Sequence, residues 1–233
     1  MVQPPLMMNR EAYEGVTDLS DFETVMYGIE PDNYYLIATS EHPLTAMRMD
    51  EVIEPNELPV KLVGVSPCFR REVGAHGLSD RGIWRVHQFT KIEQIVICHP
   101  DDSWGHHEEL LQNAVDLWDS LGLHYRVVNI CTGDMGTVAA KKYDLEAWLP
   151  GAGSYKEVVS CSNCTDYQAN RLRMRFRTKE GNESVHTLNS TAVATSRALV
   201  AIMEQNQLED GRVRVPEVLR PYMGELEILE SLK

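Results

Sequence analysis

Hydrophobic and polar residues alternate in short runs over much of the chain, and this spacing of two predicts β-strands. The predicted strands cover residues 34–38, 60–65, 84–90, 94–97, 124–128, 157–160 and 172–176. Glycine-rich and polar segments separate several of them, which is typical of hairpins. Strands connected in this way predict a sheet that is largely antiparallel.

Two longer segments repeat hydrophobic residues at intervals of three and four, which predicts amphipathic helices. The first covers residues 103–121 and is followed by Gly122, a residue suited to ending a helix. The second covers residues 191–205. Its inward positions are predicted to be Val193, Leu199, Ile202 and Met203. Few helices among many strands predict the α+β class.

Composition limits the kind of protein. The 233 residues are 43% hydrophobic, enough for the core of one domain. No apolar run approaches the length of a membrane span, and the N-terminus lacks a signal-peptide core. Five cysteines fit a reducing compartment better than a disulfide framework, so we expect a cytoplasmic location. The net charge of −13 means that any contact with RNA must be local.

The segment 69–89 concentrates cations and one aromatic ring. It reads F-R-R-E, then a polar loop over residues 73–84, then R-V-H-Q-F. As a hairpin, it would bring Arg70, Arg85 and Phe89 around a common space. Guanidinium groups suit phosphate oxygens and the ring suits a base, so the segment predicts a nucleoside triphosphate site. A solvated hairpin with surface arginines is an equal alternative on these residues alone.

A second anion site is predicted where residues 186–191 lead into the second helix. A helix start offers free amides and a positive dipole to an anion. Arg197, about two turns inside the predicted helix, can project toward the same anion. An arginine on an exposed helix face is the alternative. Together with the segment 69–89, the anion site is the favoured interpretation.

Both segments resemble motifs of class II aminoacyl-tRNA synthetases. Residues 67–93 resemble motif 2 and residues 186–206 resemble motif 3. Further matches to seryl-tRNA synthetases run in order along almost the whole chain. They are L-I-A-T-S-E (36–41), C-T-G-D (131–134), Y-D-L-E (143–146), E-V-V-S-C-S-N (157–163) and V-P-E-V-L-R-P-Y-M-G (215–224). The resemblance implies that residues 1–233 form a class II catalytic domain, an antiparallel sheet flanked by helices.

The implied reaction is the activation of L-serine by ATP, followed by transfer of serine to tRNA(Ser). The serine carboxylate attacks the α-phosphate and pyrophosphate leaves, so fixed cations are expected to dominate catalysis without a general base. By motif match the catalytic residues are Arg70 and Arg197. Arg70 would bind the α-phosphate and the serine carboxylate, while Arg85 and Arg197 would bind the γ-phosphate. Phe89 would stack on adenine, with Arg197 on the other face.

The resemblance also implies three sets of binding residues. The set expected for ATP is Arg70, Arg71, Glu72, Arg85, Val86, Phe89, Glu157, Val158, Val159, Ser160 and Arg197. The set expected for serine is Thr39, Ser40, Glu41, Arg70, Glu93, Asn189 and Thr191. Glu157 and Ser160 match the Mg²⁺ ligands of the family, a carboxylate and a hydroxyl suited to a hard cation.

Selection of serine is implied for Thr39, Glu41, Glu93 and Thr191. Thr39 would meet the α-amino group, while Glu93 and Thr191 would meet the hydroxyl. A buried carboxylate that awaits a hydroxyl rejects alanine, because alanine would leave it unpaired. The alternative for Glu93 is a buried salt bridge to Lys91 or an arginine.

Two other patterns have less specific interpretations. Cys161 and Cys164 have the spacing of a zinc pair but no second pair, so we expect core cysteines. Arginines alternate at positions 171, 173, 175 and 177 on a predicted strand, which places them on one face. That face either receives the acceptor end of tRNA or is solvated and paired with carboxylates.

The chain departs from the seryl family in two places. The long helical arm that grips tRNA and most of motif 1 are expected to be missing, since only residues 2–6, with Pro5, match the end of motif 1. We therefore expect weakened binding of tRNA(Ser), and the homodimer of the full-length family depends on motif 1. Motif 3 reads A-V-A-T-S-R instead of a glycine-rich sequence, as the archaeal and eukaryotic branches tolerate.

Two alternatives to a serine-activating core remain open. One is an armless ligase that loads an amino acid onto a carrier protein, and the other is a non-catalytic paralogue. Carrier-loading proteins resemble a zinc-containing, divergent seryl branch, whereas residues 39–41 and 157–163 match the ordinary branch. A paralogue is expected to have lost ATP or Mg²⁺ residues, and all of them are present. The sequence favours the enzyme.

Overall fold

The computed structural model describes residues 1–19, 23–72 and 82–231. The strands are β1 (Met7–Asn9), β2 (Gly28–Ile29), β3 (Tyr34–Leu36), β4 (Val52–Ile53), β5 (Val60–Phe69), β6 (Gln88–Cys98), β7 (Tyr125–Asn129), β8 (Lys141–Leu149), β9 (Ser154–Thr165), β10 (Arg175–Arg177), β11 (Asn182–Ser184), β12 (His186–Ala194), β13 (Val213–Arg214) and β14 (Ile228–Leu229). The α-helices are α1 (Arg10–Val16), α2 (Glu41–Ala46), α3 (Ser103–Ser120), α4 (Tyr167–Arg171) and α5 (Thr195–Gln205). Short 3-10 helices cover Glu23–Val25, Pro55–Glu57, Gly82–Trp84, Pro100–Asp102 and Glu217–Met223.

A six-stranded sheet with the order β5-β6-β12-β9-β8-β7 dominates the structure. Every neighbouring pair in it is antiparallel. Within the described residues, three smaller sheets accompany it, with the orders β1-β3-β2, β11-β10-β4 and β13-β14. The predicted α+β class with a largely antiparallel sheet flanked by helices is therefore confirmed.

Helix α3 covers one face of the large sheet. Its predicted apolar stripe is confirmed, since Leu110, Ala114 and Trp118 are buried in the cores that they form with the strands. Gly122, with φ of +66°, follows the helix and allows the turn that ends it. None of the helices in the described part of the chain has both the length and the apolar character needed to cross a bilayer.

The opposite face of the sheet has an apolar half and a polar half, and β6 shows the change. Side chains two residues apart share a face of a strand. Ile97 and Ile95 pack into the core formed by the N-terminal segment, whereas Glu93, Lys91 and Phe89 continue the same face into a cleft. The N-terminal segment thus covers half of this face and leaves the other half open.

The helix α2 lies close to the sheet because Gly64 of β5 has no side chain. A Cβ atom there would lie 2.5 Å from Leu44 Cδ1 and 2.8 Å from Ser40 Oγ. Leu44 belongs to α2, and Ser40 directly precedes it. This contact sets the position of Glu41 at the start of α2, beside the polar half of the sheet face.

The second strand of the predicted hairpin begins later than expected. Residues 82–84 form a 3-10 helix, and β6 begins at Gln88 instead of residue 84. Trp84 is buried in the core beside α5, and this packing overrides the strand pattern. Residues 73–81 of the predicted loop lie outside the described residues.

The second predicted helix also begins later. Residues 191–194 continue β12 and pair with β6, so Arg197 lies in the first turn of α5 and not two turns inside. The predicted inward positions Leu199 and Met203 are wrong, because they are 47% and 40% exposed. Ala198 and Ala201 face the core instead, because small side chains allow the helix to approach the sheet.

The strand predicted over residues 172–176 is wrong for its first half. Helix α4 ends at Arg171, and Arg173 has φ of +57°, which interrupts a strand. Strand β10 contains only residues 175–177. The four arginines therefore do not lie on one strand face.

Gly64→Ala should destabilise the protein, because Leu44 and Ser40 would have to move. Overpacking of this kind typically costs about 1–3 kcal/mol. The matched control is Gly105→Ala in α3, where nothing lies within 4 Å of the added Cβ. The control should stabilise the helix by up to about 1 kcal/mol. Chemical unfolding measures both, and equal effects of the two variants would contradict the close packing at Gly64.

Candidate active site

A cleft of about 370 Å³ lies on the polar half of the sheet face. Strands β6, β9 and β12 form its floor, while α2, the segment that follows β5 and the start of α5 contribute to its sides. Most of the residues predicted for ATP and serine lie together here. They are Thr39, Glu41, Arg70, Glu72, Val86, Phe89, Glu93, Glu157, Val158, Ser160, Asn189, Thr191 and Arg197.

Four predicted residues lie outside the lining of the cleft. Val159 is buried on the opposite face of β9, and Ser40 is buried before α2. Arg71 is exposed, and its backbone N–H donates to the Val25 carbonyl. Arg85 Nη1 lies 2.9 Å from Glu72 Oε2, so it reaches the cleft wall through this ion pair.

A bulge in β9 brings Glu157 and Ser160 to the same face. Residues three apart point to opposite faces of a regular strand. In the pairing with β8, however, Leu145 faces Val159 and Glu146 faces Glu157, so Val158 is an extra residue. The carboxylate and the hydroxyl therefore both line the cleft.

Asp144 of β8 is a neighbour of this pair that the sequence did not identify. It lies opposite Ser160 in the sheet, is buried, and has Oδ2 3.5 Å from Lys142 Nζ. Burial first, and then the charge of Glu157, raises the pKa of Asp144 to about 6. Two carboxylates and a hydroxyl form a set of hard oxygen donors, which fits Mg²⁺.

Arg70 and Arg197 are held in place by hydrogen bonds to backbone carbonyl groups. Arg70 Nε donates to the Ala38 carbonyl at 3.2 Å, and its guanidinium carbon lies 5.4 Å from the centre of the Phe89 ring. Arg197 Nη1 donates to the Glu157 carbonyl at 2.8 Å. Burial lowers the pKa of Arg197, although a guanidinium group stays charged in proteins.

The ring nearest to Arg197 is Trp84, which the sequence analysis did not assign to the site. The guanidinium carbon of Arg197 lies 5.4 Å from the centre of that ring. Phe89 is instead the ring beside Arg70. Among the residues that the structure describes, the cleft thus contains two cation–aromatic contacts. The placement of Phe89 and Arg197 on either side of adenine stays a prediction.

Glu93 and Lys91 form a salt bridge, with 2.6 Å between Oε2 and Nζ. The alternative considered for Glu93 is therefore confirmed, and the same carboxylate also lines the cleft. Lys91 Nζ also lies 3.2 Å from Thr39 Oγ1, and Thr191 is the residue opposite Glu93 in the sheet. Burial raises the pKa of Glu93, while Lys91 opposes this effect.

Glu41 contributes a second carboxylate beside Glu93. Its Oε1 accepts hydrogen bonds from Gln168 Nε2 at 3.1 Å and from Asn189 Nδ2 at 3.0 Å. Burial, and then the charge of Glu93, raises the pKa of Glu41 to about 7. Gln168 comes from α4, and no signal in the sequence connects it to this site.

A second bulge shapes β12. Thr191 pairs with Glu93 and Val193 pairs with Ile92, so Ala192 is an extra residue. Asn189, Thr191 and Ala194 therefore all line the cleft. The bulge also lets α5 begin directly after the strand, with Arg197 at the cleft.

The cleft contains further residues that the sequence analysis did not assign to the site. Lys91 was considered only as a salt-bridge partner. The others include His42, Lys142, Ser162 and a wall formed by residues 135–139. The C-T-G-D match at 131–134 directly precedes this wall and was the one available signal for it.

Cys161 and Cys164 are both buried, as expected for core cysteines. They point to opposite faces of β9. Cys161 Sγ donates to the His107 carbonyl of α3, whereas Asn189 Nδ2 donates to Cys164 Sγ on the cleft side. The two sulfur atoms therefore cannot act as a zinc pair.

Comparison with known proteins agrees with this geometry. Residues 24–206 match the family model described as tRNA synthetase class II core domain (G, H, P, S and T). Over 229 residues, the chain is 65% identical to the serine–tRNA ligase of Methanospirillum hungatei, covering 97% of this chain and 54% of that protein. The chain thus spans about half the length of the curated relatives that it matches.

Solved structures agree as well. The crystal structure of seryl-tRNA synthetase from Pyrococcus horikoshii complexed with ATP matches with a TM-score of 0.96 and 53% identity, covering 100% of this chain and 52% of that one. The cytoplasmic serine–tRNA ligase of Naegleria fowleri in complex with AMP matches with a TM-score of 0.93 and 46% identity, covering 100% and 55%. The resemblance to seryl-tRNA synthetases is confirmed, and this chain belongs to the family of class II tRNA synthetase core domains.

Proposed function

We propose that this chain is the catalytic core of a serine–tRNA ligase. It activates L-serine with ATP to give seryl-adenylate and pyrophosphate, and it transfers serine to tRNA(Ser). One observation carries the proposal: a cation–aromatic region and a carboxylate region share a single cleft. The first suits a nucleoside triphosphate, and the second suits a small amino acid with an ammonium and a hydroxyl group.

In the proposed reaction the protein acts by positioning and electrostatics. Arg70 binds the α-phosphate and the serine carboxylate, and its bond to the Ala38 carbonyl fixes its direction. Arg197 and Arg85 bind the γ-phosphate, while Phe89 stacks on adenine. The negative charge that develops on the phosphate oxygens is stabilised by groups that the fold already holds in place before the reaction. The nucleophile is a carboxylate, so no proton has to be removed from it.

Mg²⁺ fits the oxygen donors of β9, and Glu157 and Ser160 would hold it. When bound, it supplies charge neutralisation to the phosphates. Asp144, opposite Ser160, adds negative charge behind these ligands. The remaining ATP contacts proposed are Arg71, Glu72, Val86, Val158 and Val159. Val159 takes part through its backbone, because its side chain faces the core.

Selectivity for serine is assigned to the carboxylate region. Thr39 meets the α-amino group, and Glu93 with Thr191 meets the hydroxyl. Glu41 and Asn189 complete this end of the cleft, and the carbonyl of Ser40 accepts the Leu44 N–H in the first turn of α2. Alanine and glycine would leave Glu93 without its hydroxyl partner, which disfavours them.

The wider functions belong to the same proposal. Residues 1–233 form the catalytic domain, with motif 2 at 67–93 and motif 3 at 186–206. The partner nucleic acid is tRNA(Ser), the assembly is a homodimer, and the location is the cytoplasm. Loading of a carrier protein and a non-catalytic role have less support, because the ATP and serine residues are complete and the relatives are serine–tRNA ligases.

Serine-dependent exchange of pyrophosphate into ATP tests the activation step directly. We expect exchange with serine and at least about 100-fold less with alanine or glycine, because a buried polar group is left unpaired. Arg70→Ala should reduce the exchange by at least about 100-fold through loss of charge stabilisation. Arg177→Ala, which removes an exposed arginine paired with Glu54, is the control. Preference for glycine would favour the carrier-loading alternative.

Glu157→Gln should raise the Mg²⁺ concentration needed for half-maximal exchange by about tenfold or more, because a charged ligand becomes neutral. The matched control is Glu146→Gln, since Glu146 faces Glu157 in the sheet but pairs with Arg126. Binding of Mn²⁺, followed by electron paramagnetic resonance in the presence of ATP, provides a second measurement. Equal Mg²⁺ requirements of both variants would remove Glu157 from the proposed ligands.

Glu41→Gln should stabilise the fold and impair serine binding. The pKa of Glu41 is raised in the folded protein, so its contribution to stability is present at low pH and is lost as the pH rises through about 7. The amide oxygen can still accept both hydrogen bonds. We therefore expect stabilisation of about 1–3 kcal/mol near pH 8 and little change near pH 5.

In the same variant the KM for serine should rise by about tenfold or more, because the charge that attracts the ammonium group is lost. Glu183→Gln, on the exposed strand β11, is the control for both measurements. Thermal unfolding over a pH series records the stability. A variant less stable than the wild type near pH 8 would show that the charge of Glu41 supports the fold.

A further inference from the structure

A second cavity, of about 350 Å³, lies beside the cleft and is called the side cavity here. It is lined by residues 137–140, 165–167 and 170–171. Thr137, Val138 and Ala139 line both spaces, so one short segment forms a shared wall. On β9, Cys164 lines the cleft and Thr165 lines the side cavity. The side cavity therefore lies next to the proposed amino-acid end.

The boundary between the two spaces is held by specific bonds. Thr165 has φ of +48°, an uncommon conformation for a β-branched residue, and its N–H donates to Asn163 Oδ1 at 3.0 Å. The Ala140 N–H donates to the Asn163 carbonyl at 2.8 Å. Asn163 thus ties the shared wall to the end of β9.

The side cavity contains a stacked cation and ring. The guanidinium carbon of Arg171 lies 3.9 Å from the centre of the Tyr167 ring. Asp166, the carboxylate nearest in the chain, accepts a hydrogen bond from Asn170 Nδ2 at 2.8 Å. Within the described residues, no carboxylate oxygen lies within 4.0 Å of the Arg171 guanidinium. Arg171 therefore keeps its charge available to an anion.

The other three arginines of the predicted strip have partners. Arg173 pairs with Asp50 and Glu11, and Arg177 pairs with Glu54. Arg175 Nη1 donates to two backbone carbonyl groups. Three arginines of the strip are thus used within the protein, and of the four only Arg171 lines the side cavity.

We propose that the side cavity binds a nucleotide of the single-stranded 3′ end of tRNA, a role that rests on the proposed function. A base stacks on the Arg171–Tyr167 pair, and the remaining guanidinium N–H groups bind the adjacent phosphate. The terminal ribose of the tRNA, which accepts serine, has to reach the adenylate in the cleft. The shared wall lines both the side cavity and the cleft, so the tRNA end can extend along it from one to the other. With a net charge of −13, the protein needs such a local cation to attract RNA.

Binding of two RNAs tests this contact independently of catalysis. One is tRNA(Ser), and the other is the same tRNA shortened by its single-stranded 3′ nucleotides. Fluorescence anisotropy gives Kd for the wild type, Arg171→Ala, Tyr167→Ala and the control Arg177→Ala. In the wild type and the control, shortening should weaken binding about tenfold, the size of one lost base-stacking contact.

In Arg171→Ala and Tyr167→Ala the same shortening should change Kd by less than about twofold, because the contact is already lost. Tyr167→Phe keeps the ring and should behave as the wild type does. The proposal would be overturned if shortening the tRNA weakened binding equally in all of these proteins, or if the wild type showed no measurable binding of tRNA. Transfer of serine to a carrier protein instead of tRNA would also overturn it.

Serine-dependent exchange separates this proposal from the function on which it rests. Exchange needs no tRNA, so Arg171→Ala and Tyr167→Ala should retain it within about twofold. Exchange that is absent in the wild type would refute the proposed function. Exchange that is present, together with an unchanged effect of RNA shortening, would refute only the role of the side cavity.

Discussion

Lys91 and Glu93 form an ion pair 2.6 Å apart on β6, the second strand of the large sheet, where their side chains are 11% and 1% exposed. Charges in such a place are costly unless each has a partner, so the surrounding polar groups are arranged around this pair. Thr39 contacts Lys91, and Thr191 lies opposite Glu93. Glu41 adds a second carboxylate beside Glu93, and the positive charges of Lys91 and Arg70 act on both. Burial nevertheless raises the pKa of both carboxylates, so holding them charged in this place costs the fold free energy.

Much of the fold could be predicted from the sequence, because the spacing of hydrophobic residues in a long segment indicates whether it forms a helix or a strand. Helix α3 and strands β5, β7 and β9 lie where the hydrophobic pattern places them. The errors occur where contacts between distant segments decide the outcome. Residues 191–194 carry a helical pattern, yet hydrogen bonding to β6 keeps them in a strand. At Arg173 a positive φ interrupts the predicted strand. The hydrophobic pattern of the sequence does not indicate this backbone conformation.

The sequence predicted which residues belong to the site but not how they are arranged in space. The resemblance to a known family named many of the residues that line the cleft, including Arg70, Arg197 and Glu93. Asp144 was missed because its relation to Ser160 depends on the register between β8 and β9, which a single sequence does not contain. Gln168 was missed for the same kind of reason, since α4 reaches Glu41 only in the folded chain.

The bulge at Val158 has a consequence for protein engineering. Side chains three residues apart point to opposite faces of a regular strand. In the E-V-V-S segment, Glu157 and Ser160 therefore share a face only because Val158 is left out of the pairing with β8. The bulge at Val158 depends on the pairing of β8 with β9. Transplanting the four residues into another strand would carry the two proposed ligands but not the bulge, and the carboxylate would then point to the opposite face from the hydroxyl. The transferable unit is the strand pair, not the motif.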